Sequence, residues 1–406
     1  MKIKIPSKDT LILYAALLLM IYQSGTVQSS MNAGALSFKI VQVLLIVLLL
    51  WYIYKNPNPK RIHRYSVVVF LSSEILAGIS FINYRDTFVT VEYKIFLLFL
   101  FLNMIFCVNK ENKTRIENAL YNVLIVISFV TMIFYIPIEI LGINVPYTIF
   151  DGGLYEYKNY YGLFYNYHVF FPARISGIFW EPGVNQIYAN LALYLYIRLN
   201  KRKKIHVVLL LTEIVFTRSM MGYIVSTVLL LVLIMERGWL KGRNWRLALI
   251  LFGTVSLILV IALFLYKKET TGTGYLDSYT MRSYDLVLGL KIFLERPIFG
   301  FGYMNTDVFH NASIYNGGSS NGLLTWMYTT GIAGLLFALF PFFADMRNRN
   351  SKERLLQLSW IIIILLFNIG EPIFNLPIMI FIVAHAYSKI IDFREKENEI
   401  VSYIKM

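Results

Sequence analysis

Apolar residues run along this chain in blocks bounded by short charged clusters. A bilayer core about 30 Å thick takes roughly 20 apolar residues per helix, so reading from one cluster to the next locates candidate spans. Twelve result: 10–27, 36–54, 65–83, 89–108, 119–141, 184–199, 206–217, 222–235, 247–266, 323–344, 355–370 and 373–391. The pattern predicts an all-α polytopic membrane protein, residues 1–406 forming one integral membrane domain.

Alternate loops carry the basic residues. The N-terminal tail, 55–64, 109–118, 198–206, 236–246, 347–354 and the tail after 388 hold 27 of the 38 Lys and Arg. Short loops rich in Lys and Arg stay cytoplasmic, which predicts both termini on that side of the membrane. The first span lacks a small-residue cleavage site and reads as an uncleaved helix. Composition agrees: 57% hydrophobic residues, 15% charged and a mean hydropathy of +0.58 exclude an ordinary soluble chain. A net charge of +14 would suggest nucleic acid in a soluble protein, but here most of it is topology signal with lipid head groups as its partner. The single cysteine, Cys107, forbids an internal disulfide. No internal repeat or low-complexity tract is present.

Two segments, 142–183 and 267–322, are too long for simple connections and fall on the extracytoplasmic side by parity. The first is packed with Tyr, Phe and Trp, too aromatic for a floating linker, and is expected on the membrane surface. Its aromatic rings suit either stacking on sugars or an interfacial belt. The second contains RSYDLVLGLKIFLERPIFG, whose interrupted apolar run predicts an interfacial amphipathic helix ended by Pro297.

Residues 206–235 place Arg218 midway between two basic clusters. A tight hairpin keeps both clusters on one side but is too short for two full spans, so its tip and Arg218 are expected within the membrane boundary. A guanidinium there costs roughly 2.5–3.5 kcal/mol unless it meets a water-filled cavity, an anion or an acid. Glu213, five residues earlier, is a partner only if the tip is non-helical. In ARISGIFWEPG, Pro182 suits the first turn of a helix and Glu181 its positive end. A plain helix start explains both but not Arg174. Asn185, Gln186 and Asn190 on the next turns suit a hydroxyl-rich ligand. In the second long loop the candidates are Lys267, Lys268, Arg282 with Asp285 as a possible counter-charge, Arg296, His310 and Asn321. His310 is either a proton carrier or a solvated surface histidine.

Taken in order, these pieces resemble the O-antigen polymerase and O-antigen ligase superfamily of bacterial membrane glycosyltransferases, over about residues 174–344. The resemblance rests on ARISGIFWEPG before a helix, and on TRSMMG, which is similar to a Thr-x-Ser-Arg-Gly turn with Arg and Ser exchanged. It rests further on RSYDLVLGLKIFLERPIFGFGYMN, with an arginine-bearing helix and then Pro-x-x-Gly-x-Gly, and on SSNGLLTWMYTTGIAGLL, closing with Gly-x-x-Gly. Ligases carry a histidine just before the asparagine of the last motif; here Asn321, Gly331 and Gly334 keep the spacing and Ser320 takes the histidine's place. That departure favours a polymerase over a ligase.

The resemblance implies a C-type glycosyltransferase architecture of about twelve spans with two long outer loops. The implied activity joins undecaprenyl-diphosphate-linked repeat units outside the cytoplasmic membrane, alongside a flippase and a chain-length regulator. It implies substrate binding by Arg174, Arg218, Arg282, Asn185 and Asn321, with Glu181, His310 and Arg218 catalytic. Arginines hold diphosphates bidentately and stabilise them as leaving groups. The sequence holds no phosphate-binding Gly-rich loop, dinucleotide fingerprint or clustered metal-ligand spacing, so neither cofactor nor metal is expected. A ligase-type transferase and a polysaccharide flippase or other transporter are the rival readings. Two long outer loops argue against the transporter, which usually has short ones.

Overall fold

The computed structural model describes residues 7–31, 36–56, 64–106, 110–151, 156–160, 164–169, 174–237, 278–314, 318–346 and 351–404. The chain begins with α1 (Lys8–Tyr22), α2 (Val27–Met31), α3 (Leu36–Lys55), α4 (Arg64–Asn83), α5 (Phe88–Phe106) and α6 (Lys110–Tyr135), the last ending in a π turn at Ile136–Ile140. It continues through α7 (Pro182–Arg198), α8 (Lys204–Thr217), α9 (Met220–Glu236), α10 (Ser278–Glu295) and the short α11 (Asp307–Ala312). The last helices are α12 (Gly322–Met346), α13 (Ser351–Gly370) and α14 (Pro377–Ile404). Eleven of the twelve expected spans coincide with helices, while 247–266, together with Lys267 and Lys268, lies outside the described residues. Among the described residues five helices are long and apolar enough to cross a membrane, and the segments from 220, 356 and 377 are shorter apolar helices.

Two kinds of apolar helix make up the bundle. On α3, the residues Ile40, Val43, Leu44, Val47, Leu50 and Trp51 recur on one helical face and are all exposed, a stripe suited to lipid, while Leu45, Leu49 and Tyr52 face inward. Helix α7 is buried almost all round, from Val184 to Ile197 without a gap. It is the central helix, packed among α6, α8, α9 and α13. Its Phe179–Tyr188 and Tyr194–Trp360 ring stacks, with centroids 4.2 and 4.0 Å apart, tie its two ends to the core.

The all-helical expectation needs one correction. Within 142–183 the chain forms a three-stranded antiparallel sheet, β1 (Thr148–Asp151), β2 (Glu156–Tyr160) and β3 (Tyr165–His168), in the order β1-β2-β3. Thr148 lies opposite Asn159, and Tyr157 opposite His168. Tyrosine is a good strand former, and the sheet buries Tyr157, Tyr160 and Tyr165. Tyr160 and Tyr165 pack with Met132 and Tyr135 of α6, and Tyr157 donates to the Trp180 carbonyl at 2.9 Å. These rings are core, so neither of their expected roles, a sugar platform or an interfacial belt, describes them.

Helix α12 is broken at Gly331, where φ is 67° and ψ −171°. The segment after α10 fills the break. Ile332 and Ala333 donate to the Pro297 and Ile298 carbonyls at 2.8 and 3.0 Å, and Phe301 and Gly302 donate to Tyr328 and Thr329 at 2.9 Å each. Both halves of the break therefore keep their backbone hydrogen bonds, the condition for non-helical chain inside a bundle. Glycine is required at the crossing, because a Cβ at Gly300 would lie 2.5 Å from the Thr329 carbonyl. The Pro-x-x-Gly-x-Gly and Gly-x-x-Gly stretches are thus two halves of one joint.

Candidate active site

The stretch from Arg174 to Gly183 is pinned along its length. Ile175 N–H donates to Phe216 O at 3.1 Å, the Gly177 carbonyl accepts from Asn166 N–H at 2.8 Å, and Trp180 N–H donates to Gly25 O at 3.0 Å. Gly177 takes φ +61° against α6, where a Cβ would meet Thr131 Oγ1 at 2.8 Å. Glu181 follows as the extended residue that opens α7, with Pro182 in the first turn, as the sequence predicted. Its position is fixed by contacts on three sides.

The expected hairpin is present. Helix α8 ends at Arg218, which adopts the left-handed conformation at φ 49°, and Ser219 caps α9 by accepting from Gly222 N–H at 3.3 Å. At the other end Arg237 Nη2 donates to the Lys201 carbonyl at 2.5 Å, so Arg237 and the first basic cluster lie at one end of the hairpin. With 14 and 17 residues, both helices fall short of the roughly 20 that a full crossing needs. Arg218 is exposed at the tip. Glu213, its alternative partner, is buried and bonds Ser128 and Asn185 instead.

Arg174 reaches the same tip, donating from Nε to the Thr217 carbonyl at 3.0 Å at the negative end of α8. Burial pulls its guanidinium below the ordinary arginine range, an effect opposed by Glu181, Tyr223 and Glu371 and reinforced by Arg218. Glu371 was not anticipated from the sequence. It is buried between α13 and α14, hydrogen bonded to Glu181, with its carboxylate against Gly183 at the start of α7 and its backbone against Gly322 at the start of α12. Burial first, then the neighbouring Glu181 charge, raise its carboxyl well above the ordinary carboxylate range, while Arg282 and Arg174 oppose the rise. A signal existed: Glu371-Pro372 repeats Glu181-Pro182, and Glu371 is the only charged residue from 355 to 388.

Two of the arginines singled out, Arg174 and Arg282, therefore reach the carboxyl pair from far apart in sequence, and Arg218 lies beside Arg174. Three guanidiniums and two hydrogen-bonded carboxyls lie in one neighbourhood, with burial favouring the protonated form of Glu371. The arrangement has an excess of positive charge and, through the exposed Arg218 and Arg282, an opening to the surroundings. It can bind a multiply charged anion and accept a proton beside it.

The other predicted residues take different places. Arg282 lies within α10, which begins at Ser278, a turn earlier than expected, and stops before Pro297 as predicted. Leu286, Val287, Leu290 and Leu294 form an exposed apolar stripe on that helix. Asp285 does not answer Arg282: it is buried and accepts from Ser320 N–H and Oγ at 2.8 and 2.6 Å. Asn321 is the cap of α12, its Oδ1 accepting from Leu324 N–H at 3.1 Å. Asn185 is buried and turned toward the Ile175 carbonyl and Glu213, while Asn190 donates to Gln186 O and Oε1, both at 3.0 Å. These amides hold helices together instead of lining a cavity. His310 is exposed on α11 and is not among the charges acting on Arg174 or Glu371. Arg296 lies over the Phe301 ring, 4.7 Å from its centroid. Among the described residues no cluster of three or more His, Cys, Asp or Glu side chains could hold a metal.

No protein-family model matches this chain, and no curated protein matches it.

Proposed function

We propose that the protein is a surface-polysaccharide polymerase, a membrane glycosyltransferase of C-type architecture with about twelve spans, acting on undecaprenyl-diphosphate-linked oligosaccharides at the outer face of the bacterial cytoplasmic membrane. The observation that carries this reading is the gathering of Arg174 and Arg282 about the hydrogen-bonded pair Glu181–Glu371, with Arg218 beside Arg174. By the basic-residue count, this end of α7 is the outer one. Arginines there are not topology signals, and a lipid diphosphate gives them a reason to be present.

In the proposed reaction the growing chain on its lipid is the donor and the next lipid-linked repeat unit the acceptor. Burial favours the protonated form of Glu371, and Glu181, hydrogen bonded to it, is the proposed base. The acceptor hydroxyl gives its proton to Glu181 as its oxygen attacks the anomeric carbon of the donor sugar. The bond from that carbon to the diphosphate oxygen breaks, and the diphosphate leaves with the electron pair, its charge met by the three guanidiniums. His310, the other residue the family resemblance offered as a base, is remote from this electrostatic cluster and has no part in the proposal.

The test is deletion of the gene and complementation with variants, read by gel analysis of surface glycan. A single repeat unit on its carrier or core is the expected phenotype of deletion. Complete loss of attached glycan would instead indicate a ligase or flippase. Arg218→Lys keeps the charge but loses the bidentate fork, and is expected to lower long-chain glycan by about 10²–10³-fold at normal membrane level. Long chains from both the Lys and Ala variants would remove Arg218 from the mechanism.

A further inference from the structure

A second feature lies beside the charged site and is not used by it. A cavity of about 130 Å³ opens between α4, α5, α12 and α14, walled by side chains such as Ala77, Leu98, Phe337 and Val383. One charge lines it. Lys94 lies six residues into α5, about 9 Å along the helix from its start. Among the described residues its ammonium meets only the ring of Tyr93, 5.6 Å from the centroid. The indole Nε1 of Trp326, also on the wall, is buried without a hydrogen-bond partner. Apart from the hydroxyl residues Ser73, Ser80, Tyr303 and Thr330 the lining is apolar, and two donors without acceptors there are costly unless an occupant supplies oxygens to both; a cation so placed calls for an anion.

The size restricts that occupant. The volume is close to the roughly 150 Å³ of apolar cavities that admit a benzene-sized molecule, which suits one hydrocarbon chain and not the two of a phospholipid. A phosphate presents several strong acceptor oxygens, enough for an ammonium and an indole N–H together. Trp326 packs against Phe374 with centroids 5.0 Å apart, and Phe374 is three residues from Glu371, so the cavity adjoins the carboxyl pair without sharing its residues.

We infer that this cavity is a second lipid site, which takes one long-chain isoprenyl phosphate with its first isoprene units among the apolar walls and its phosphate on Lys94 and Trp326. The inference extends the proposed function, since a polymerase handles two lipid-linked molecules at once, but the site requires only the cavity and its two donors.

The experiment uses the full-length protein in phosphatidylcholine nanodiscs, with retained lipid read by native mass spectrometry. The probes are an isoprenyl monophosphate, the isoprenol of the same chain length, and phosphatidylglycerol. The wild type is expected to retain the monophosphate at least tenfold over the isoprenol and over phosphatidylglycerol. Lys94→Met should reduce retention to the level of the isoprenol, and Lys94→Arg should preserve it. Ala77→Phe keeps the charge and fills the cavity, so it should lose retention as well; melting temperatures identify any variant that fails to fold. Equal retention of phosphate and isoprenol by the wild type, or full retention by Lys94→Met, overturns the inference. Equal retention of phosphatidylglycerol overturns the single-chain occupant. Loss in Arg174→Ala with retention in Lys94→Met would assign the phosphate to the arginine site and also overturn it. Retention that depends on Lys94 in a protein that makes no polymer would leave this site standing while the polymerase reading falls.

Discussion

Helix α7 carries a charged cluster at each end, and the two differ in kind. At the Arg198 end, Glu117 accepts from Arg198 Nε at 2.8 Å and lies 2.5 Å from His385 Nε2, and all three side chains are largely shielded. One carboxylate is hydrogen bonded to its cation, with Lys389 close enough to act on it, and is held between α6, α7 and α14. At the Glu181 end, Arg174 and Arg282 act on a hydrogen-bonded carboxyl pair, Arg218 stands beside Arg174, and Arg218 and Arg282 are exposed. A matched buried pair locks helices together. An unmatched open cluster costs stability by itself and makes sense when a ligand completes it.

Three measurements separate the two ends, in order of expected effect. The largest concerns the carboxyl pair. Glu181→Gln removes the proposed base and should lower polymer formation by about 10²–10⁴-fold in a purified assay with lipid-linked repeat units. Glu371→Gln imitates a carboxyl that already holds its proton and should retain most of the activity. The reverse ranking would exchange the two roles, and equal activity in both would remove the pair from the reaction.

Next comes the closed end. Replacing Arg198 by Met leaves Glu117 buried with a weaker partner, at a cost of roughly 3–5 kcal/mol. Denaturant unfolding in detergent should show that loss, with polymer made per folded molecule unchanged. The double variant Arg198→Met with Glu117→Leu should recover much of the stability, because neither charge is then left alone. If activity per folded molecule fell as far as stability, the two ends would not be distinct in function.

The smallest effect is a pH dependence. Glu371 keeps its proton in the folded state at pH values where the unfolded chain has released it, so the folded state binds more protons and stability falls as pH rises above the ordinary carboxylate range. Glu371→Gln should flatten that part of the stability profile. An unchanged profile would show that Glu371 is not the group responsible.

Much of the architecture was legible in the chain. The hairpin at Arg218 follows from length alone, since about 30 residues between two basic clusters are too few for two full crossings. The end of α10 follows from Pro297, and the start of α7 from Glu181 and Pro182. The sheet was not legible as such: tyrosine-rich strands of four or five residues lack the long periodicity that marks a helix, and their packing against α6 is a non-local event. The hydrogen-bond partners of Asn185, Asn190 and Asn321 were not legible for a related reason. A polar residue near a helix end reads alike whether it faces a cavity or bonds a neighbouring backbone, and only the fold supplies the partner.

By itself the sequence determined the run of apolar helices, the sides their basic ends favour, and which arginines fall where topology does not ask for them. These depend on local composition and on the one-dimensional order of charges. Only the tertiary structure decided that Arg174 lies between Arg218 and the carboxyl pair, that Glu371 joins Glu181 within reach of Arg282, and that α7 is the buried helix while α3 turns an apolar face outward. The physical reason is that lipid and protein interior are equally apolar: hydrophobicity places a helix in the membrane, but shape and hydrogen bonding decide what it packs against.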